Sequence, residues 1–161
     1  MHIIDACALI NILNSSVWEV FGAHFSKDIC FQGLVEDECS SVQDKLEHLV
    51  NRGALIRFDG SRVTAKEVAE MATSFAIGMG ESECLAIAKK FNYSFISDDK
   101  RARNAAHQAI PGAMVTGSIG ILCALVDNSR ISHNAAGEAL AEIRARGGHI
   151  PNFNFETRRL W

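Results

Sequence analysis

The chain has 161 residues, of which 48% are hydrophobic and 22% charged, with a formal net charge of −3. That size and mix suit one domain, residues 1–161, with a real core. The slight acidity excludes a chain-wide basic surface, so any nucleic acid has to meet a local patch. Cys7, Cys30, Cys39, Cys84 and Cys123 form no CxxC pair and no zinc spacing, which points to reduced, buried thiols and a cytoplasmic setting. No apolar run reaches the length of a membrane span, and no basic stretch followed by an apolar core opens the chain. Neither a membrane nor a signal peptide is expected.

In chain order, His2-Ile3-Ile4-Asp5 reads as a minimal strand ending on a carboxylate, and Ala6 to Leu13 has helical spacing. Asp5 alone is most simply a helix cap. Trp18, Val20, Phe21 and Phe25 read as a buried amphipathic segment. Asp28 to Phe31 is a second strand. Gly33 introduces a helix from about Leu34 to Val50, whose first turn holds Glu36, Asp37 and Glu38, more acids than capping needs. Ala54 to Phe58 is a third strand and Val63 to Ile77 a further helix, ended by Gly78 and Gly80.

Glu81 and Glu83 then occupy a first turn, where negative charge suits the helix dipole. Cys84, Leu85, Ile87 and Ala88 give that helix its apolar face, and Asn92 is its expected stop. Ser94-Phe95-Ile96 is a fourth strand, followed at once by Asp98-Asp99. Lys100 to Gln108 is a basic helix carrying Arg101 and Arg103. Ala113 to Val115 is a last strand, Ile121 to Val126 is helical, and Ile131 to Arg146 closes the helical part. The tail ends in Arg158-Arg159-Leu160-Trp161, where a terminal aromatic is expected to pack against a neighbour.

Strands alternating with helices define an α/β class with a mostly parallel sheet. The carboxyl ends of such strands lie along one edge, where ligands bind. Asp5, an acid from Glu36 to Glu38, Glu81 or Glu83, and Asp98 or Asp99 are therefore expected to converge there. Adjacent acids repel unless a cation compensates them, and an all-carboxylate set suits Mg²⁺ or Mn²⁺. Such ions activate water for attack on phosphodiesters. No GxSxG, HExxH or GK[ST] stretch offers another chemistry.

Five pieces, taken in order, carry a family resemblance. They are I-I-D-A-C-A-L-I, V-E-D-E-C, G-E-S-E-C-L-A-I-A, F-I-S-D-D-K-R-A-R and V-T-G-S-I-G-I-L. The chain resembles the PIN domain, the nuclease fold of VapC-type toxins and related ribonucleases, in the branch with GExE and DD[KR]xAR motifs. The resemblance implies a PIN-like three-layer fold, a mostly parallel central sheet flanked by helices. It implies a Mg²⁺- or Mn²⁺-dependent endoribonuclease with Asp5, Glu38, Glu81 and Asp99 as catalytic metal ligands, and Asp98 as the alternative to Asp99. RNA is the implied substrate, a small antitoxin the implied protein partner, and Arg101 and Arg103 are placed to hold phosphates. Where many members carry serine or threonine after the first aspartate, this chain has Ala6 and Cys7; where some carry a further acid, it has Thr116 and Ser118. A catalytically inert PIN-fold binding module is the competing expectation. Aromatic residues near both ends, Trp18, Phe21, Phe25, Phe153, Phe155 and Trp161, add the expectation of a homodimer burying them.

Overall fold

The structure, a computed structural model, describes residues 1–160, so the terminal Trp161 and the packing expected of it lie outside the described residues. Its centre is a sheet of β1 (His2–Ile4), β2 (Ile29–Phe31), β3 (Ile56–Arg57), β4 (Ser94–Ile96) and β5 (Val115–Thr116). Every pairing is parallel and the order is β3-β2-β1-β4-β5. Parallel strands need long crossovers, and helices supply them here: α1 (Ala6–Leu13), α2 (Trp18–His24), α3 (Gly33–Glu38), α4 (Gln43–Asn51), α5 (Ala65–Phe75), α6 (Met79–Phe91) and α7 (Lys100–Ala109), while α8 (Ser118–Asp127) follows the last strand of this sheet. A final helix, α9 (His133–Ala145), packs on α8, and a small hairpin of β6 (Phe153–Asn154) and β7 (Arg159–Leu160) forms the tail. This is the α/β class with a parallel sheet expected from the alternation, in the three-layer form that the resemblance implied.

Helices on both faces bury the inner strands, so they read as apolar runs, not as alternating ones. Ile3, Ile4, Cys30, Phe31 and Phe95 are fully buried. From β1 the chain steps outward to β2 and β3, then returns to place β4 on the other side of β1. The carboxyl ends of β1 and β4 therefore flank the switch point, where an open α/β sheet leaves a crevice. Asp5 follows the first of these strands and Asp98 the second.

Several boundaries differ from the sequence reading. The helix expected over 34–50 is three pieces, α3, a 3₁₀ turn at Cys39–Val42, and α4. Ser40 and Ser41 compete poorly as helix formers, and the tighter turn keeps Cys39 and Val42 buried while both serines face out. The third strand shrinks to Ile56–Arg57, because Ala54 and Leu55 sink into the core and a 3₁₀ turn capped by Asp59 stops it. The fifth lies at Val115–Thr116, not 113–115, and α8 starts at Ser118. Gly80 does not break a helix: α6 is capped by Gly78 and runs through Gly80. Asn92 does end it, in the left-handed conformation at φ 55°.

Five of the six aromatics behind the expected dimer lie among the described residues, and each meets the core of its own chain. Phe21 and Phe155 are buried, and Trp18, Phe25 and Phe153 pack against the core. No single helix among the described residues is long and apolar enough to cross a membrane. All five cysteines are free thiols, three of them buried.

Candidate active site at the carboxyl edge of the sheet

Asp5 sits where β1 turns into α1, and its extended backbone makes it the N-cap. Oδ1 accepts from Ala8 N–H at 3.1 Å and from Cys7 Sγ at 3.0 Å. Oδ2 is buried and has no hydrogen-bond partner. The capping reading and the site reading are thus both satisfied, by different oxygens of one carboxylate. Burial raises the Asp5 carboxyl to a pKa of about 6; Ser97, Cys7 and Ala8 favour the ion against it, and the Asp98 charge adds to the rise. Cys7 links the two acids, since its thiol donates to Asp5 Oδ1 and its sulfur also accepts from Asp98 N–H at 3.2 Å.

The two aspartates after β4 have separate employments. Asp98 turns into the crevice, where Asn11 Nδ2 donates to Oδ2 at 2.8 Å, Ser118 N–H to Oδ1 at 2.7 Å, and Ser118 Oγ to Oδ2. The approach needs a bare backbone, because a β-carbon at Gly117 would overlap Asp98 Oδ1 and press on Ser97 O. Asp99 is exposed and caps α7, accepting from Ala102 N–H at 2.7 Å. Of the expected pair, Asp98 is the one that acts on Asp5.

The glutamates also divide. Glu36 is drawn away by Arg57, whose guanidinium meets it at 2.6 Å. Glu38 leans over α6, so that a β-carbon at Gly80 would come within 3.0 Å of its Oε1. Burial first, then the Glu81 charge, raises the Glu38 carboxyl. Glu81 folds back over Gly78, while Glu83 points to the turn at Gly60–Arg62, with Oε1 3.5 Å from a β-carbon built at Gly60. Two residues on a helix differ by about 200° in direction, which is why only one of these glutamates faces Glu38.

The structure thus brings Asp5 to Asp98 and Glu38 to Glu81, and leaves Asp99, Glu36 and Glu83 outside both pairs. No three His, Cys, Asp or Glu side chains among the described residues are grouped closely enough to hold one ion. The donor chemistry nevertheless fits a hard divalent cation: every candidate ligand is a carboxylate oxygen, and one buried oxygen has no partner. Arg101 departs from its expected place. Lys100, Arg103 and His107 share one face of α7 and line a cleft with Asp98, whereas Arg101 lines a hollow with Phe75 and Ala76.

Asn11 and Ser118 are the functional residues that sequence reasoning missed. Asn11 had a signal, a lone polar side chain inside the apolar run ACALINIL, where it is nine-tenths buried. Ser118 was visible only as the replacement for an expected acid.

An all-parallel α/β sheet with carboxylates at its switch point places an acidic crevice where open sheets of this kind bind ligands. Residues 1–158 match the family model DUF3368, described as a PIN domain. The chain belongs to the PIN domain family, whose members are generally nucleases and typically use divalent metals. The fold is also that of PAE2754 from Pyrobaculum aerophilum, with a TM-score of 0.55 at 11% identity, covering 81% of this chain and 97% of that one. No curated protein matches the chain.

Proposed function

We propose that this PIN domain is a Mg²⁺- or Mn²⁺-dependent ribonuclease, cutting RNA phosphodiester bonds at the crevice between β1 and β4. The observation that carries this reading is the buried, unpartnered Asp5 Oδ2 beside Asp98. Asp5 and Asp98 are the pair that would hold the ion, and Glu38 and Glu81 form the second acidic pair, on α3 and α6. A divalent ion bound there polarises a phosphate and makes hydroxide available near neutral pH.

The chain's own part is orientation and charge. Asp5 Oδ1 is fixed by Ala8 and Cys7, which leaves Oδ2 to take a cation, or a proton near pH 6 when none is bound. Asn11 and Ser118 hold the Asp98 side chain in a set direction. Glu38 and Glu81 stand as a second pair, on α3 and α6, and add negative charge that a cation would offset. Asp99 keeps the first turn of α7 in place.

The test is cleavage of end-labelled single-stranded RNA by purified protein, with Mn²⁺ and with EDTA. Cleavage that needs the metal and disappears in Asp5→Asn and Asp98→Asn, purified identically, is expected. Cleavage that persists in EDTA or in Asp5→Asn sinks the reading.

A further inference from the structure

Beside Asp98 the surface opens into a cleft of about 710 Å³, walled by α7, β5, the start of α8 and the tail. Its charged and titratable lining is Asp98, Lys100, Arg103, His107 and His149, so cationic donors outnumber the single acid, which sits at the crevice end. Ile119, Ile150, Pro151 and Leu160 supply apolar wall. The size suits a small organic ligand, and the mixture, cationic on one side and apolar on the other, matches a nucleotide.

The α7 side of the lining runs against helix stability. Basic residues at the start of a helix oppose its dipole, yet Lys100 and Arg103 stand there on one face, with His107 one turn on. Arg103 is also pinned, since its Nη1 donates to Ser97 O at 2.9 Å, which fixes the guanidinium at the β4 end of the cleft. A positioned cation beside a carboxylate site is what a phosphate next to the reacting one requires. His149, Ile150 and Pro151 face these bases from the tail, across the space a base plane would fill.

We infer that this cleft is a subsite for one unpaired nucleotide of an RNA strand, adjacent to the phosphate being cut. Lys100, Arg103 and the two histidines take its phosphate, and the tail wall takes its base. This inference rests on the ribonuclease reading for its substrate class, and it adds that the strand must be single at this point.

The experiment uses the full chain carrying Asp5→Asn, so that bound RNA is not cut, and a fluorescent decamer of single-stranded RNA read by anisotropy across a salt series. Lys100, His107 and His149 are all exposed, so Lys100→Gln, His107→Gln and His149→Gln can be combined without disturbing the core. That triple variant is expected to bind at least ~10-fold more weakly, with a salt slope shallower by about 0.7 for each phosphate that is no longer neutralised. A duplex of equal length should bind more weakly than the single strand. RNA carrying 4-thiouridine should cross-link to peptides within residues 147–160. Unchanged affinity and slope in the triple variant, or cross-links only outside α7 and the tail, overturn the inference. The two readings separate in the uncrippled background. If wild type and triple variant cut and bind RNA alike, the subsite fails and the ribonuclease stands. If RNA binds at the cleft but is never cut, the ribonuclease fails and the cleft stands as a binding site for one unpaired nucleotide.

Discussion

Ser118 N–H donates to Asp98 Oδ1 at 2.7 Å, tying the first residue of α8 to the second residue after β4. With Asn11 from α1, it lets two helices that flank the crevice set the direction of a single carboxylate. Ser118→Ala keeps the backbone donor and loses the hydroxyl, while Asn11→Ala loses the only side-chain amide on Asp98. Each should cost about 1 kcal/mol in urea melts, and each should lower metal affinity or cleavage by about 10–100-fold, as losses of supporting groups at metal sites do. An Asn11→Ala protein with unchanged metal affinity would show that Asp98 needs no such support.

Asp98 and Asp99, neighbours in sequence, should separate on mutation. Asparagine caps helices as well as aspartate does, so Asp99→Asn should melt within about 0.5 kcal/mol of wild type and keep cleavage. Asp98→Asn should abolish the stabilisation that Mn²⁺ gives in thermal unfolding. Loss of that stabilisation in Asp99→Asn alone would reverse the assignment.

The Glu36 and Glu38 pair offers the same contrast on α3. Glu36 is engaged by Arg57 in an exposed ion pair, of the kind worth about 0–1 kcal/mol. Glu36→Gln should leave the Mn²⁺-induced melting shift intact, and Glu38→Gln should diminish it. Equal effects from both would place the ion nearer β3 than the crevice.

The sequence made the fold legible because its signals were local. Period-3.6 spacing marks α1, α6 and α7, and Ser94–Ile96 is bounded at both ends by turn formers. The ordered motifs single out Asp5, Glu38, Glu81 and the Asp98–Asp99 pair, of which the structure couples Asp5 to Asp98 and Glu38 to Glu81 and sets Asp99 to cap α7. What stayed hidden depends on tertiary direction. Nothing local distinguishes Asp98 from Asp99, because the choice is made by Asn11 and Ser118 arriving from 87 and 20 residues away. Likewise Arg101 and Arg103 look equivalent until the turn of α7 sends them to different faces. The 3₁₀ turn at Cys39–Val42 depends on burial of those two residues, which a helical pattern over 34–50 conceals.

Asp5 makes metal-free stability depend on pH. Its carboxyl is raised from 3.8 to about 6, so the folded state prefers the protonated form. The stabilising effect of that proton is fully present below about pH 4 and is lost as pH rises through 6. A shift of that size corresponds to about 3 kcal/mol at most. In EDTA, Asp5→Asn should therefore gain on wild type by up to about that amount at pH 7–8, and the gain should vanish near pH 4. Parallel pH profiles for the two proteins would show that Asp5 ionises without penalty. Saturating Mn²⁺ should erase the advantage of Asn.

Gly117 and Gly137 make a matched pair of glycine tests. Gly117→Ala drives a β-carbon into Asp98 Oδ1 and Ser97 O, and should destabilise by about 1–3 kcal/mol while weakening metal binding. Gly137 lies within α9 with nothing inside 4 Å of a new β-carbon, so Gly137→Ala should stabilise by about 0.5–1 kcal/mol. Chemical denaturation of both variants checks the contrast, and a stabilised Gly117→Ala would show that Asp98 can move aside.

Both outer strands of the sheet, β3 and β5, are only two residues long. A sheet rim that brief gives an incoming chain little backbone to zip onto, and at β3 the exposed Ile56 stands next to Arg57, which is locked to Glu36. The rims thus act as gatekeepers against strand-to-strand aggregation.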